Sequence, residues 1–202
     1  MKRKNILIYS LKGGVGKTSI AANLALTLGY SIISNEPYSF IDKVLPSQKC
    51  LKLVPGQDLP PAKAIKDQGV IFDFGGHLDE RVIDAIKMSN LVIVPIIDTD
   101  DVNIQPFLGT LMEIGKVTKN IAIILNRMSV DECKEMQKAL KKAGYNYPTF
   151  EIKKSKVFNE VLKTKNSVRE IVEQGGLKKY MYEKVSIQFD EIIRHIEEKF
   201  GN

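Results

Sequence analysis

The 202 residues are 44% apolar and 27% charged, enough hydrophobic material to bury a full core and too much for a largely disordered chain. The formal net charge is +6 and there is no tryptophan. Residues 141–184 hold 11 basic and 5 acidic side chains, so the whole surplus is local to that stretch. The longest apolar runs, such as Leu91–Ile97, fall far short of the ~20 residues of a membrane-spanning helix. A secretory signal is not expected either, because only Ile6–Tyr9 follow the basic start. Cys50 and Cys133 stand alone and make no metal-ligand or disulfide pattern, which fits a reducing cytoplasm.

In chain order, Asn5–Ser10 predicts a buried strand, and Thr18–Leu28 a helix with Ile20, Leu24 and Leu28 at four-residue spacing and Gly29 as its stop. Ser31–Ser34 predicts a second strand. Five prolines break up residues 37–69, with a short strand expected at Leu51–Val54. Val70–Phe74 predicts a strand ending in Gly75-Gly76; a helix over Val82, Ile83 and Ile86 and the strand Leu91–Ile97 follow. The remaining expectations are a helix over Val102–Val117 that places Pro106 in its first turn, a strand at Ile121–Leu125 and a helix at Asp131–Ala143. Thr149–Lys153 predicts the last strand, followed by helices over 156–164 and 177–200. Apolar strands alternating with helices imply an α/β fold, a doubly wound, mainly parallel sheet covered on both faces, in a single domain over 1–202.

Between the first strand and helix stands Leu11-Lys12-Gly13-Gly14-Val15-Gly16-Lys17-Thr18-Ser19. Glycines there let successive backbone N–H groups turn inward on phosphate oxygens, and the helix start adds its positive dipole end. Lys17 is placed to reach the β and γ phosphates and Thr18 to ligate Mg2+. The pattern GxxxxGK[ST] is not met, because Leu11 occupies its first glycine position and a second lysine, Lys12, precedes the glycines.

This loop resembles the deviant Walker A motif of the ParA/MinD family of P-loop ATPases, most of all the small plasmid-partition ParA type. The resemblance implies ATP and Mg2+ as ligands, with Gly13, Gly14, Val15, Gly16, Lys17, Thr18 and Ser19 cradling phosphate. It also implies that Lys12 reaches into the partner protomer of a nucleotide-sandwich homodimer, stabilising phosphate charge in trans. Val70-Ile71-Phe72-Asp73 resembles the family's Walker B strand, giving Asp73 a role in holding Mg2+, and Gly75 or Gly76 could turn an N–H toward the γ-phosphate. Ile123–Arg127 resembles the strand end at which Asn126, with neighbouring Arg127, contacts adenine. Where the family carries Asp-x-Asp-Pro-Gln, this chain has Ser34-Asn35-Glu36-Pro37-Tyr38. Glu36 then stands in for the water-positioning aspartate on a longer arm, and slow turnover is expected.

The basic stretch contains Lys153, Lys154, Lys156, Lys178 and Lys179 with few aromatics among them, a pattern suited to sequence-independent contact with the DNA backbone. The resemblance implies a partition ATPase that binds nonspecific DNA when ATP-bound. Its expected partner is a centromere-binding, ParB-like adaptor that stimulates hydrolysis, and its expected location is the bacterial cytoplasm and nucleoid. The alternative is a MinD-like positioning scaffold for a protein cargo or a membrane site. The terminal stripe Phe189, Ile192, Ile193, Ile196 and Phe200 carries an acid-rich polar face, which predicts a helix docked on the domain over a membrane anchor. His77 and His195 are expected at the surface or in packing, and no N-terminal helix-turn-helix extension is expected.

Overall fold

Residues 4–61, 69–75, 79–98 and 100–201 are described by a computed structural model, the side chains of residues 101–103 excepted. Seven strands form one sheet: β1 (Lys4–Tyr9), β2 (Ser31–Ser34), β3 (Cys50–Lys52), β4 (Gly69–Phe74), β5 (Leu91–Ile96), β6 (Ile121–Asn126) and β7 (Thr149–Ile152). Their order is β3-β2-β4-β1-β5-β6-β7, and every neighbouring pair is parallel. The expected doubly wound architecture is therefore observed.

Strand residues are apolar on both faces because both faces are covered. Ile6, Ile8, Ile71, Leu91, Ile93 and Ile124 pack under α1 (Lys17–Leu28) and, near the C terminus, α6 (Val157–Thr164), α7 (Val168–Glu173) and α8 (Gly176–Phe200). Leu7, Tyr9, Phe72, Phe74, Val92 and Val94 face the other way, onto α3 (Arg81–Met88), α4 (Asp101–Val117) and α5 (Val130–Lys142). Asp73 shares the parity of Ile71 and so projects on the α1 side.

Several elements depart from expectation. A one-turn helix, α2 (Ile41–Val44), and a 3-10 turn at Ser47–Lys49 lie in the proline-rich stretch. Strand β3 begins one residue earlier than expected and is shorter, though Leu53 still donates to the Ser34 carbonyl at 2.8 Å. Pro106 lies beyond the first turn of α4, and the Thr110 hydroxyl donates to its carbonyl at 2.7 Å. Helix α7 was not expected, although Ser167 and Glu170 form a reciprocal capping box at its start. The C-terminal stripe is core: Phe189, Ile192, Ile193 and Ile196 are at most 3% exposed. Among the described residues no helix is long and apolar enough to cross a membrane.

Candidate nucleotide site

Strand β1 ends under the phosphate loop, at the carboxyl edge of the sheet where ligands of open α/β folds bind. Gly14 and Gly16 take φ of +78° and +92°, a left-handed backbone that side chains rarely adopt. Gly16 is doubly constrained, because a Cβ there would collide with the Asn126 side chain. Helix α1 begins directly after Gly16 with no side-chain cap and no acidic residue in its first turn. Its N-terminal N–H groups and dipole are thus not neutralised by its own sequence.

Lys17 is only 5% exposed and its ammonium donates to the Lys12 carbonyl at 3.2 Å. Burial lowers its pKa, while the carboxylates of Glu36 and Asp73 act in the opposite sense. The Lys12 N–H donates to the Ser10 hydroxyl at 3.2 Å, which fixes the shoulder of the loop and leaves the Lys12 side chain half-exposed. Gly13 and Gly14 are exposed at the tip, Val15 is buried, and Thr18 and Ser19 are half-buried on the first turn of α1.

Asp73 is 1% exposed, and neither carboxylate oxygen has a hydrogen-bond partner. Burial pushes its pKa up to about 7. The nearby Thr18 and Ser34 hydroxyls and the Lys17 charge pull it down, whereas Glu36 pushes it further up. The hydroxyls lie beside the carboxylate without the geometry of a satisfying hydrogen bond. A buried, orphaned carboxylate next to a threonine hydroxyl is a hard-oxygen donor set that fits Mg2+. Among the described residues no cluster of three or more His, Cys, Asp or Glu offers a closed metal cage. That suits an ion held by one carboxylate together with substrate phosphates and water.

Glu36 lies against the Gly75 backbone, so close that a Cβ on Gly75 would strike its carboxylate. The Glu36 N–H donates to the Ser34 hydroxyl at 3.2 Å. Sequence reasoning gave Asn35 no role, yet its carbonyl oxygen accepts the Gly75 N–H at 2.7 Å and its amide donates to Asp79 at 2.8 Å. Asp79 in turn holds Arg81 through two bonds of 2.7–2.8 Å, and that guanidinium brings its pKa down to about 2. The Gly75 N–H expected to face phosphate is therefore occupied by Asn35; Gly76 and His77 lie outside the described residues.

Asn126 reaches the site from β6, but its amide donates to the Val15 carbonyl at 2.9 Å and the residue is 2% exposed. In this arrangement it braces the loop. Arg127 is exposed at the strand end, with φ of +63° and its N–H bonded to the Ile152 carbonyl at 2.6 Å.

The basic candidates lie elsewhere. Lys153, Lys154 and Lys156 occupy the link from β7 to α6, and Lys178 and Lys179 the start of α8. Glu160 on α6 draws Lys163 to 3.4 Å and Lys178 to 4.0 Å, and Lys179 lies 3.8 Å from Glu183. Among the described residues no carboxylate pairs with Lys153, Lys154 or Lys156. His195 is a packing residue, its ring 5.2 Å from that of Phe150.

No family model and no curated protein sequence matches the chain. Solved structures do. An ATP complex of a McdA variant from Cyanothece superposes with a TM-score of 0.67 at 16% identity, covering 99% of this chain and 97% of that one. MinD from Pyrococcus horikoshii OT3, complexed with Mg-ADP, gives 0.65 at 16% identity over 96% and 98% of the two chains. A putative plasmid partition protein from Borrelia burgdorferi B31, bound to AMPPNP, gives 0.62 at 15% identity over 96% and 100%. The fold is that of the ParA/MinD P-loop ATPases.

Proposed function

We propose that this protein is a Mg·ATP-dependent, dimerising partition ATPase that binds DNA nonspecifically in its ATP state and segregates a plasmid or other low-copy DNA. In this reading a centromere-binding, ParB-like adaptor stimulates hydrolysis, and the protein works on the bacterial nucleoid. The observation that carries the reading is the junction of the uncapped α1 terminus, buried Lys17 and orphaned Asp73 beneath a glycine loop that bears a second lysine.

Each residue has a separable role. The loop N–H groups from Gly13 to Ser19 and the Lys17 ammonium bind the phosphates of ATP, with Lys17 swinging from the Lys12 carbonyl to them. Thr18 and Asp73 hold Mg2+, which when bound screens phosphate charge and relieves the cost of the buried carboxylate. Glu36 orients the attacking water from its seat on Gly75. Lys12, on the shoulder of the loop, extends to the phosphates of the partner protomer. Asn126 acts through the loop by fixing Val15, and Arg127 is left as the candidate contact to adenine.

Lys153, Lys154 and Lys156 supply unpaired positive charge for the DNA backbone, with Lys178 and Lys179 contributing less because carboxylates already share them. The apolar stripe of α8, at Phe189, Ile192, Ile193 and Ile196, is buried in the core and so is not free to meet a membrane. Turnover of the Glu36→Ala variant tests the mechanism. The variant is expected to bind ATP like the wild type and hydrolyse it about 10²-fold more slowly; equal turnover would remove Glu36 from the chemistry.

A further inference from the structure

The β2–β4 ladder ends at Ser34 and Asp73, and the next two residues after β2 are Asn35 and Glu36. Asn35 adds one more rung with its side chain, its Oδ1 accepting the Gly75 N–H at 2.7 Å. An amide can be turned end for end, so a further group must decide which end meets Gly75. Asp79 is that group. A carboxylate only accepts, so the Asn35 nitrogen donates to Asp79 Oδ2 at 2.8 Å and the oxygen is left for the Gly75 N–H. Asp79 is itself clamped by Arg81, whose Nε and Nη2 donate at 2.8 and 2.7 Å and whose backbone N–H donates at 3.0 Å. Arg81 Nη1 in turn donates to the carbonyls of Gln57 at 2.8 Å and Val54 at 3.2 Å, which ties the frame to the loop after β3. The Asp79 and Arg81 side chains are only 10% and 18% exposed, and the guanidinium keeps the carboxyl charged throughout the neutral range.

This chain of bonds ends under Glu36. The Glu36 side chain lies against Gly75, with its Cγ, Cδ and Oε1 crowding the place a Cβ would take. Its backbone is held on both sides, the N–H donating to the Ser34 hydroxyl at 3.2 Å and the carbonyl accepting the Ser39 N–H at 3.0 Å. A glutamate arm still turns about several bonds, so a fixed backbone alone does not place its carboxylate. The surface it rests on does, and Asn35 holds that surface. Among the described residues no hydrogen bond from Asn35 or Asp79 reaches the phosphate loop.

We propose that Asn35 and Asp79 are positioning residues for hydrolysis: Asp79 orients the Asn35 amide, Asn35 fixes Gly75, and Gly75 sets where the Glu36 carboxylate stands. They act on the reacting water only through Glu36. The role rests on the ATPase reading above and adds to it a part that lies outside the phosphate loop. Displacing a reacting group by about an ångström costs on the order of 10²-fold in rate, so loosening Gly75 slows cleavage while ATP stays bound. The polarity of the chain gives the sharpest variant. In Asp79→Asn the new side chain turns its oxygen to Arg81 and its nitrogen to Asn35. Two donors then meet, the Asn35 amide turns over, and its nitrogen confronts the Gly75 N–H.

The test uses the full chain with Mg2+ and radiolabelled ATP, reading ATP affinity and single-turnover hydrolysis separately. Asn35→Ala and Asp79→Asn are each expected to bind ATP within about twofold of the wild type and to hydrolyse it about tenfold more slowly. In a Glu36→Ala background the same substitutions are expected to cost nothing further, because no carboxylate is left to place. Wild-type turnover in either folded variant, a loss of ATP affinity in place of slowed hydrolysis, or a loss that persists in Glu36→Ala overturns the role. Should Asp79→Asn fail to fold, Asn35→Ala, which leaves the Asp79–Arg81 pair intact, decides alone. The two readings fail differently. A wild type that hydrolyses ATP no faster than Glu36→Ala overturns the positioning role and leaves the ATPase reading standing. A wild type that hydrolyses no ATP overturns the ATPase reading and this role with it.

Discussion

Asp73 carries an electrostatic cost in the site, since both of its oxygens are buried without a hydrogen-bond partner. Replacing it with Asn removes a charge that the nearby hydroxyls and Lys17 compensate only in part. The Asp73→Asn variant is therefore expected to be more stable than the wild type in the absence of Mg2+ and nucleotide, by about 1–2 kcal/mol. Chemical denaturation checks this, and a loss of stability would show that the carboxylate is satisfied in solution. The same variant should lose the stabilisation that Mg·ATP gives the wild type. Lys17 and Asp73 were legible in the sequence because each sits at a fixed offset from a strand end, where local pattern decides geometry. Asn35 was not, because its role depends on Gly75, 40 residues away. Asn126 was read as a base contact; the bond from its amide to Val15, across 111 residues, was not foreseen and leaves its Oδ1 without a partner. Such contacts are set by sheet order, which no local window contains.

At the scale of elements, strands read clearly because runs buried on both faces leave an unbroken apolar signal. The short helices did not. Helix α7 has six residues and is held by its capping box, by the burial of Val168 and Ile171, and by the Val168 N–H donating to Asn23 of α1 at 2.7 Å. Helix α8, by contrast, repeats its apolar stripe over 25 residues and was found within one residue of its start. Its docking makes stability depend on pH through His195. Burial lowers the pKa of that imidazole below its usual 6.5, with Lys199 acting in the same sense and Glu198 against it. The folded state then binds protons less readily than the unfolded one, so stability is lost as pH falls through 6.5 toward the lower folded value. Thermal unfolding of His195→Phe between pH 7.5 and 5, a window of about 2.5 pH units around that value, is expected to show a shallower decline than the wild type. Parallel curves would place the titrating group elsewhere.

For the molecule as a whole, the +6 charge resolves into paired and unpaired basic side chains. Part of the basic surplus is spent on ion pairs to Glu160, Glu183 and Asp190. Lys153, Lys154 and Lys156 are left to act outward. Charge reversal by Lys153→Glu/Lys154→Glu is expected to weaken DNA binding about tenfold or more at physiological salt and to leave nucleotide affinity unchanged. Loss of both together would point to misfolding. The local charge surplus was visible in the sequence; its division between paired and unpaired side chains was not fully so, because the pairs Lys178–Glu160 and Arg169–Asp190 join α8 to α6 and to α7.

The most direct test of ATP-gated DNA binding is co-sedimentation of the full chain with nonspecific duplex DNA, run with Mg2+ and either ADP or ATP at the same salt. The account predicts that the protein sediments with DNA in ATP and stays in the supernatant in ADP. Equal sedimentation in the two nucleotides, or none in either, would contradict it.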